Sequence, residues 1–396
     1  MISLASCNEI SEKINQNVNE WVMRYNSEYE DRKTTDYGQI LFPENDRRSW
    51  YIRFPFEPVL SLDQQQQIAT PLLSKPTVQQ LLRRTPLFPQ ISQHSLAWHI
   101  VQFMRTAWNL PTPELIISVT GGAKLCNLTR EMSNAFQQAL ISAVLTTDAW
   151  IFTGGTDSGV MKEVGNAIDK CRQKNIPCIG ICSWYYTTDY EQLEQNRDPT
   201  TTTDTNLSEV TESFPLDTNH THFLLLDDMC GANDGDWKKM YSLSKEDEHK
   251  SEIPRRADLT LKLRAEIEQE ARKTTDDKHK SLIPIVQILV DDGQSSILTM
   301  CEAVALRTSV IVIQGTMRAA DRTAEVYNML YPSNSGERSI EEYRNRQEAR
   351  KTFASEYKEM DDSIINKTNR KKFIDMMTSE NGYFLINVIQ FRPEVS

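Results

Sequence analysis

The most legible chemistry in this chain is carried by two glycine pairs. Leu115-Ile116-Ile117-Ser118-Val119 leads into Thr120-Gly121-Gly122, and further on Ala149-Trp150-Ile151-Phe152 leads into Thr153-Gly154-Gly155. Each time, a short apolar run ends in glycines that open toward a helix. Glycine puts no side chain between the backbone and a ligand, and the helix that follows aims unpaired N–H groups at the same spot, an arrangement suited to phosphate. The same turns also serve as tight strand-to-helix connections without any ligand.

Other chemistry is sparse. His220 and His222 share a strand face and Cys178 and Cys182 lie upstream, but no Cys-x-x-Cys spacing supports zinc, so the histidines read as structural and no metal is expected. There is no Gly-x-x-x-x-Gly-Lys-Ser/Thr, no Gly-x-Gly-x-x-Gly and no Gly-x-Ser-x-Gly; Gly155-Thr156-Asp157-Ser158-Gly159 has the wrong spacing. No catalytic residue is therefore expected, and the chain reads as a binding module rather than an enzyme.

The elements that position the glycine turns follow from the apolar pattern. Fully apolar runs imply strands buried on both faces of a parallel sheet. Beyond the two runs already named, Pro177–Cys182, Thr221–Asp228, Pro284–Val290 and Ser309–Ile313 read as strands, the last two followed by helices over 295–306 and 319–330. Helices are also expected over 160–174 and, from Leu259, Leu263 and Ile267 with charges elsewhere, over 256–273. Six strands alternating with helices predict an α/β fold with a doubly wound, mostly parallel sheet, whose ligand edge lies at the carboxyl ends of the strands. Polar insertions occupy 185–218 and 231–253.

Residues 1–110 read as an N-terminal extension packed on the sheet, with helical spacing over 10–29, 77–82 and 92–108 and short extended segments at Tyr37–Phe42 and Trp50–Phe54. Residues 111–332 form the sheet domain, and 333–396 a charged helical region that begins a further domain.

The 396 residues suffice for a large core, and 39% hydrophobic with 25% charged residues describes an ordinary globular protein. A net charge of −11 argues against nucleic-acid or anionic-lipid partners, so a phosphate must be held by locally placed arginines and N–H groups. No apolar run is long enough for a membrane span and no signal peptide is visible. Seven scattered cysteines fit free thiols in a reducing compartment, and the four Asn-x-Ser/Thr triplets carry no weight without a secretory signal.

Three stretches together carry a resemblance: Ile117–Lys124; Ala149–Gly155 with Gly159-Val160-Met161-Lys162 and Val164-Gly165; and Asp217–Phe223. They resemble the N-terminal homology regions of the melastatin-type transient receptor potential cation channels, TRPM. The resemblance implies a SLOG-type Rossmann-like domain on the cytoplasmic face of a membrane, in a tetrameric channel whose other domains and subunits are its partners. In the ADP-ribose-gated branch it further implies a nucleotide pocket built from the glycine turns and two arginines. Carried onto this sequence, it marks Thr120, Gly121, Gly122, Lys124, Gly154, Gly155, Gly293 and Gly315, with Met161 flanking the base. Ile253-Pro254-Arg255-Arg256 supplies Arg256 (or Arg255 one residue earlier), and Gln314-Gly315-Thr316-Met317-Arg318 supplies Arg318.

The sequence departs from the family pattern at Asp292, Gln314 and Leu125. Two alternatives stay open. The fold is retained for subunit packing without ligand, or the chain is a LOG-like phosphoribohydrolase, with Glu302 on the helix after Asp291-Asp292-Gly293-Gln294-Ser295-Ser296 as its acid.

Overall fold

The computed structural model describes residues 4–30, 32–56, 94–122, 128–171, 176–194, 213–229, 260–273, 282–291, 293–332, 338–359, 365 and 367–390. The expected helix at 77–82, Lys124, Leu125, Arg255, Arg256 and Asp292 lie outside the described residues, as do most of the two polar insertions.

In chain order the elements are α1 (Leu4–Glu28), β1 (Tyr37–Phe42), β2 (Arg47–Pro55), α2 (Leu96–Thr106), β3 (Ile116–Gly121), α3 (Arg130–Thr147), β4 (Trp150–Thr153), α4 (Gly159–Lys170), β5 (Cys178–Ser183) and β6 (His222–Asp227). They continue as α5 (Thr260–Ala271), β7 (Ile285–Val290), α6 (Gln294–Ala305), β8 (Ser309–Gln314), α7 (Arg318–Leu330), α8 (Ile340–Asn345), α9 (Gln347–Glu359), α10 (Lys367–Thr378), α11 (Glu380–Leu385) and β9 (Ile386–Gln390). The nine strands form one sheet in the order β1-β2-β6-β5-β4-β3-β7-β8-β9, parallel throughout except for β1 against β2.

The doubly wound α/β sheet is thus as expected, and wider. The extended segments at Tyr37 and Trp50 are hydrogen-bonded into it as β1 and β2, and β9 joins it from the helical tail. From β3 the chain winds outward through β4, β5 and β6, then crosses to the other side of β3 to lay down β7, β8 and β9. The winding therefore reverses between β3 and β7, which are paired from Ile116↔Ile285 to Gly121↔Val290. At such a reversal the connections leave in opposite directions and a crevice opens at the carboxyl edge.

Both sheet faces are covered, which is why the central strands are apolar at successive positions. Ile116, Trp150, Phe152, Ile179 and Leu224 pack under α1, α2 and α5. Ile117, Val119 and Ile151 pack under α3 and α4. A third cluster joins β7 and β8 to α6, α7 and the tail through Leu289, Val312, Ala320, Tyr357, Phe373 and Tyr383. Each large apolar side chain so buried contributes about 1.5–3 kcal/mol.

Helix α5 carries a difference from the sequence reading. An amphipathic helix with its charges away from Leu259, Leu263 and Ile267 puts them on a solvated face, but Arg264 and Glu268 are both buried. Arg264 Nε donates to Glu268 Oε1 at 2.9 Å, Arg264 Nη2 to the Ser118 hydroxyl at 3.0 Å and the Val119 carbonyl at 3.1 Å, and Ser118 donates to Glu268 at 2.7 Å. An ion pair is tolerable in an interior when each charge is also hydrogen-bonded, and here the polar strand residue Ser118 supplies the extra bonds.

Candidate functional site

The first glycine turn ends β3 at the reversal point. Thr120 is buried, and its hydroxyl lies 3.2 Å from the Ser296 hydroxyl in the first turn of α6. Gly121 sits where a Cβ would stand 2.2 Å from the Val290 carbonyl oxygen and 2.7 Å from a Val160 methyl, so its lack of a side chain is demanded by packing. The Gly122 carbonyl accepts the Val160 N–H at 3.0 Å, taking up one of the unpaired amides at the start of α4.

The second turn, after β4, faces inward. The Gly155 N–H donates to the Thr153 hydroxyl at 2.8 Å and its carbonyl accepts the Asp217 N–H at 2.9 Å. Gly155 has φ +72°, and a Cβ there would stand 2.6 Å from Cys182 Sγ. Cys182, whose thiol burial pushes up to about 12 despite Arg264, donates to the Gly154 carbonyl at 3.1 Å. Met161 is buried in the α4 core, its side chain 3.6–3.8 Å from where a Gly154 Cβ would lie.

Across the reversal, Gly293 is the residue from which α6 starts, and Arg318 is the first residue of α7. The two meet: Arg318 Nη2 is 3.3 Å from the position of a Gly293 Cβ. Arg318 is exposed and has no hydrogen-bond or ionic partner among the described residues. A cation beside the amino end of a helix is disfavoured by the helix dipole, and an anion between them reverses that sign.

The intervening turn is strained and stitched. Gly315 has φ +97°, and Met317 and Arg318 have φ +78° and +49°, a region costing a non-glycine residue about 1–3 kcal/mol. The Asp291 N–H donates to the Thr316 hydroxyl at 2.9 Å, which donates to the Ile313 carbonyl at 2.7 Å. Asp321 accepts the Gly315 and Met317 amides at 2.5 and 3.1 Å.

Thr120, Gly121, Gly122, Gly293, Gly315 and Arg318 therefore lie along one edge, at the carboxyl ends of the adjacent strands β3, β7 and β8. Gly154, Gly155 and Met161 lie one strand further, behind β4, with the polar atoms of Gly155 used internally. Sequence reasoning missed Ser296 and Asp321. An aspartate in the first turn of the helix after Arg318 was the available signal for the second.

The alternative catalytic acid is placed elsewhere. Glu302 sits eight residues into α6, about 12 Å along the axis from its start, and its carboxylate pairs with Lys372 of α10 at 2.8 Å. Among the described residues no group of His, Cys, Asp and Glu has the arrangement of a metal site, and no helix is long and apolar enough to cross a membrane.

Comparison with known proteins agrees with this architecture. A family model described as SLOG in TRPM matches residues 88–248 and 256–368. The rat transient receptor potential cation channel subfamily M member 2 is 29% identical over 266 residues, covering 62% of this chain and 15% of that protein. A member-like 2 channel of Nematostella vectensis is 29% identical over 257 residues, covering 62% and 15%, and the Drosophila melanogaster channel trpm is 30% identical over 248 residues, covering 61% and 11%. The matched stretch is thus a small part of each relative's length. With the doubly wound sheet and the family match covering most of its length, this chain belongs to the SLOG family of TRPM.

Proposed function

We propose that this chain is the ligand-sensing part of a TRPM-type cation channel, standing on the cytoplasmic face of a membrane and binding ADP-ribose or a close adenine nucleotide to regulate gating. The observation that carries the reading is the guanidinium of Arg318 beside Gly293, where α6 begins, at the point where the sheet reverses. A diphosphate there receives helix amides from one side and a planar bidentate donor from the other. Arg256, Lys124 and Met161 enter this reading through the family resemblance alone. A nucleotide regulates a channel only through differential affinity, so the proposal requires tighter binding to the assembly's open arrangement, transmitted through the other domains and subunits.

The test is calorimetric titration of the purified chain with ADP-ribose. Arg318→Ala should lose about 1.5–3 kcal/mol of binding, roughly tenfold to a hundredfold in Kd, and Arg256→Ala should weaken binding in the same direction. No heat at millimolar nucleotide favours a fold kept for subunit packing. Chromatography of the nucleotide after long incubation tests the hydrolase alternative, against which the pairing of Glu302 with Lys372 argues; intact nucleotide is the expected result.

A further inference from the structure

Met317 and Arg318 sit next to each other with φ of +78° and +49°. Two consecutive non-glycine residues stay in that region only when the surroundings over-determine them. The restraint comes from the helix that follows. Asp321 spreads its carboxylate over the turn, Oδ1 accepting the Gly315 N–H and Oδ2 the Met317 N–H, while the Thr316 hydroxyl ties the same turn to the end of β7 through the Asp291 N–H. The turn is therefore fixed both to α7 and to the strand that leads into Gly293.

We propose that Asp321 is the positioning residue of the anion site: its carboxylate locks the 315–317 turn in the strained conformation that sets the Arg318 guanidinium beside Gly293. The inference rests on reading this edge as a nucleotide site. A carboxylate is needed because the two amides are taken by two different oxygens. An asparagine offers one acceptor and would turn its NH2 group toward the other N–H.

Two simpler roles give different outcomes. If Asp321 only added negative charge near the anion, removing that charge would tighten binding. If it only capped α7, its loss would lower stability and affinity irrespective of Arg318.

The experiment is calorimetric ADP-ribose titration of the full chain as wild type, Asp321→Asn, Arg318→Ala, the double variant, and Asp321→Asn with Met317→Gly, each shown folded by its melting curve. Asp321→Asn is expected to weaken binding about tenfold although a negative charge has gone, and to change it less than about twofold when Arg318 is already alanine, the non-additivity of two residues acting as one. Met317→Gly, which occupies positive φ without strain, should restore affinity toward wild type in the Asp321→Asn background. Equal or tighter binding by Asp321→Asn, or an equal loss in the Arg318→Ala background, overturns the inference and leaves the nucleotide reading standing. No binding by the wild type removes both.

Discussion

Thr153, His220 and Asp217 have the spacing of a hydrolytic triad, hydroxyl to Nε2 at 2.7 Å and Nδ1 to carboxylate at 2.9 Å. They do structural work instead, being 0%, 1% and 2% exposed, so no substrate reaches them. Burial alone would lower the His220 imidazole, but the Cys178 thiol and the Asp217 carboxylate outweigh it and raise His220 from 6.5 to about 10. Its contribution to stability is then full below about 6.5 and is lost as pH rises toward about 10. His222 has the opposite sign: burial lowers it to about 3, so its contribution is present above about 6.5 and is lost as pH falls through that range. Urea unfolding across pH should show both limbs. His220→Ala, which leaves the buried Asp217 carboxylate with the Asn219 N–H but without its cationic partner, should cost on the order of 3–5 kcal/mol near neutrality and flatten the alkaline limb; an unchanged limb would assign that pH dependence to other groups. The burial of both histidines was not legible in the sequence, which offered only the want of metal spacing. The inward turn of Arg264 and Glu268 was not legible either, because four-residue spacing of opposite charges looks the same on a solvated face as on a buried one.

At the level of elements, the strands of the sheet's centre and the helices between them were readable because runs such as Ile116–Val119 and Phe223–Leu226 have apolar neighbours on both faces. Strand β9 was not readable. Ile386-Asn387-Val388-Ile389-Gln390 is short, lies at an edge with Ile389 half exposed, and follows directly on α11 without a turn signal. The glycine turns were found but their physical cause was only half legible. Gly121 must be glycine for the approach of β7 and α4, whatever binds beyond it. Gly121→Ala sets a methyl group 2.2 Å from a backbone oxygen of β7, which has no flexible end to move aside. It should cost about 1–3 kcal/mol or more and, on the proposed reading of this edge, weaken nucleotide binding by spreading β3 from β7. Thermal melting beside calorimetry checks both, and an alanine variant as stable as wild type would show that the two strands are not held as closely as described.

For the molecule as a whole, the tail is bonded into the body more closely than its charged composition suggested. Tyr327 of α7 and Tyr331, which follows its last residue, are buried and donate to the carbonyls of Tyr383 and Met377 at 2.6 and 2.9 Å. A chain ending at Pro332 should exchange both tail acceptors for water, at about 0.5–1.5 kcal/mol per bond, and expose the apolar side of α6 and α7. The expected outcome is a lower melting temperature with binding of a hydrophobic dye; an unaltered melt would mark the tail as dispensable. The order of the strands has a mechanical corollary. With β1 and β9 as the outermost of nine strands, the margins stand roughly 38 Å apart, eight gaps of about 4.8 Å, and the seam between β3 and β7 lies inside that span. A load applied at one margin and resisted at the other crosses the seam in series, so a molecule lodged there stiffens the whole plate.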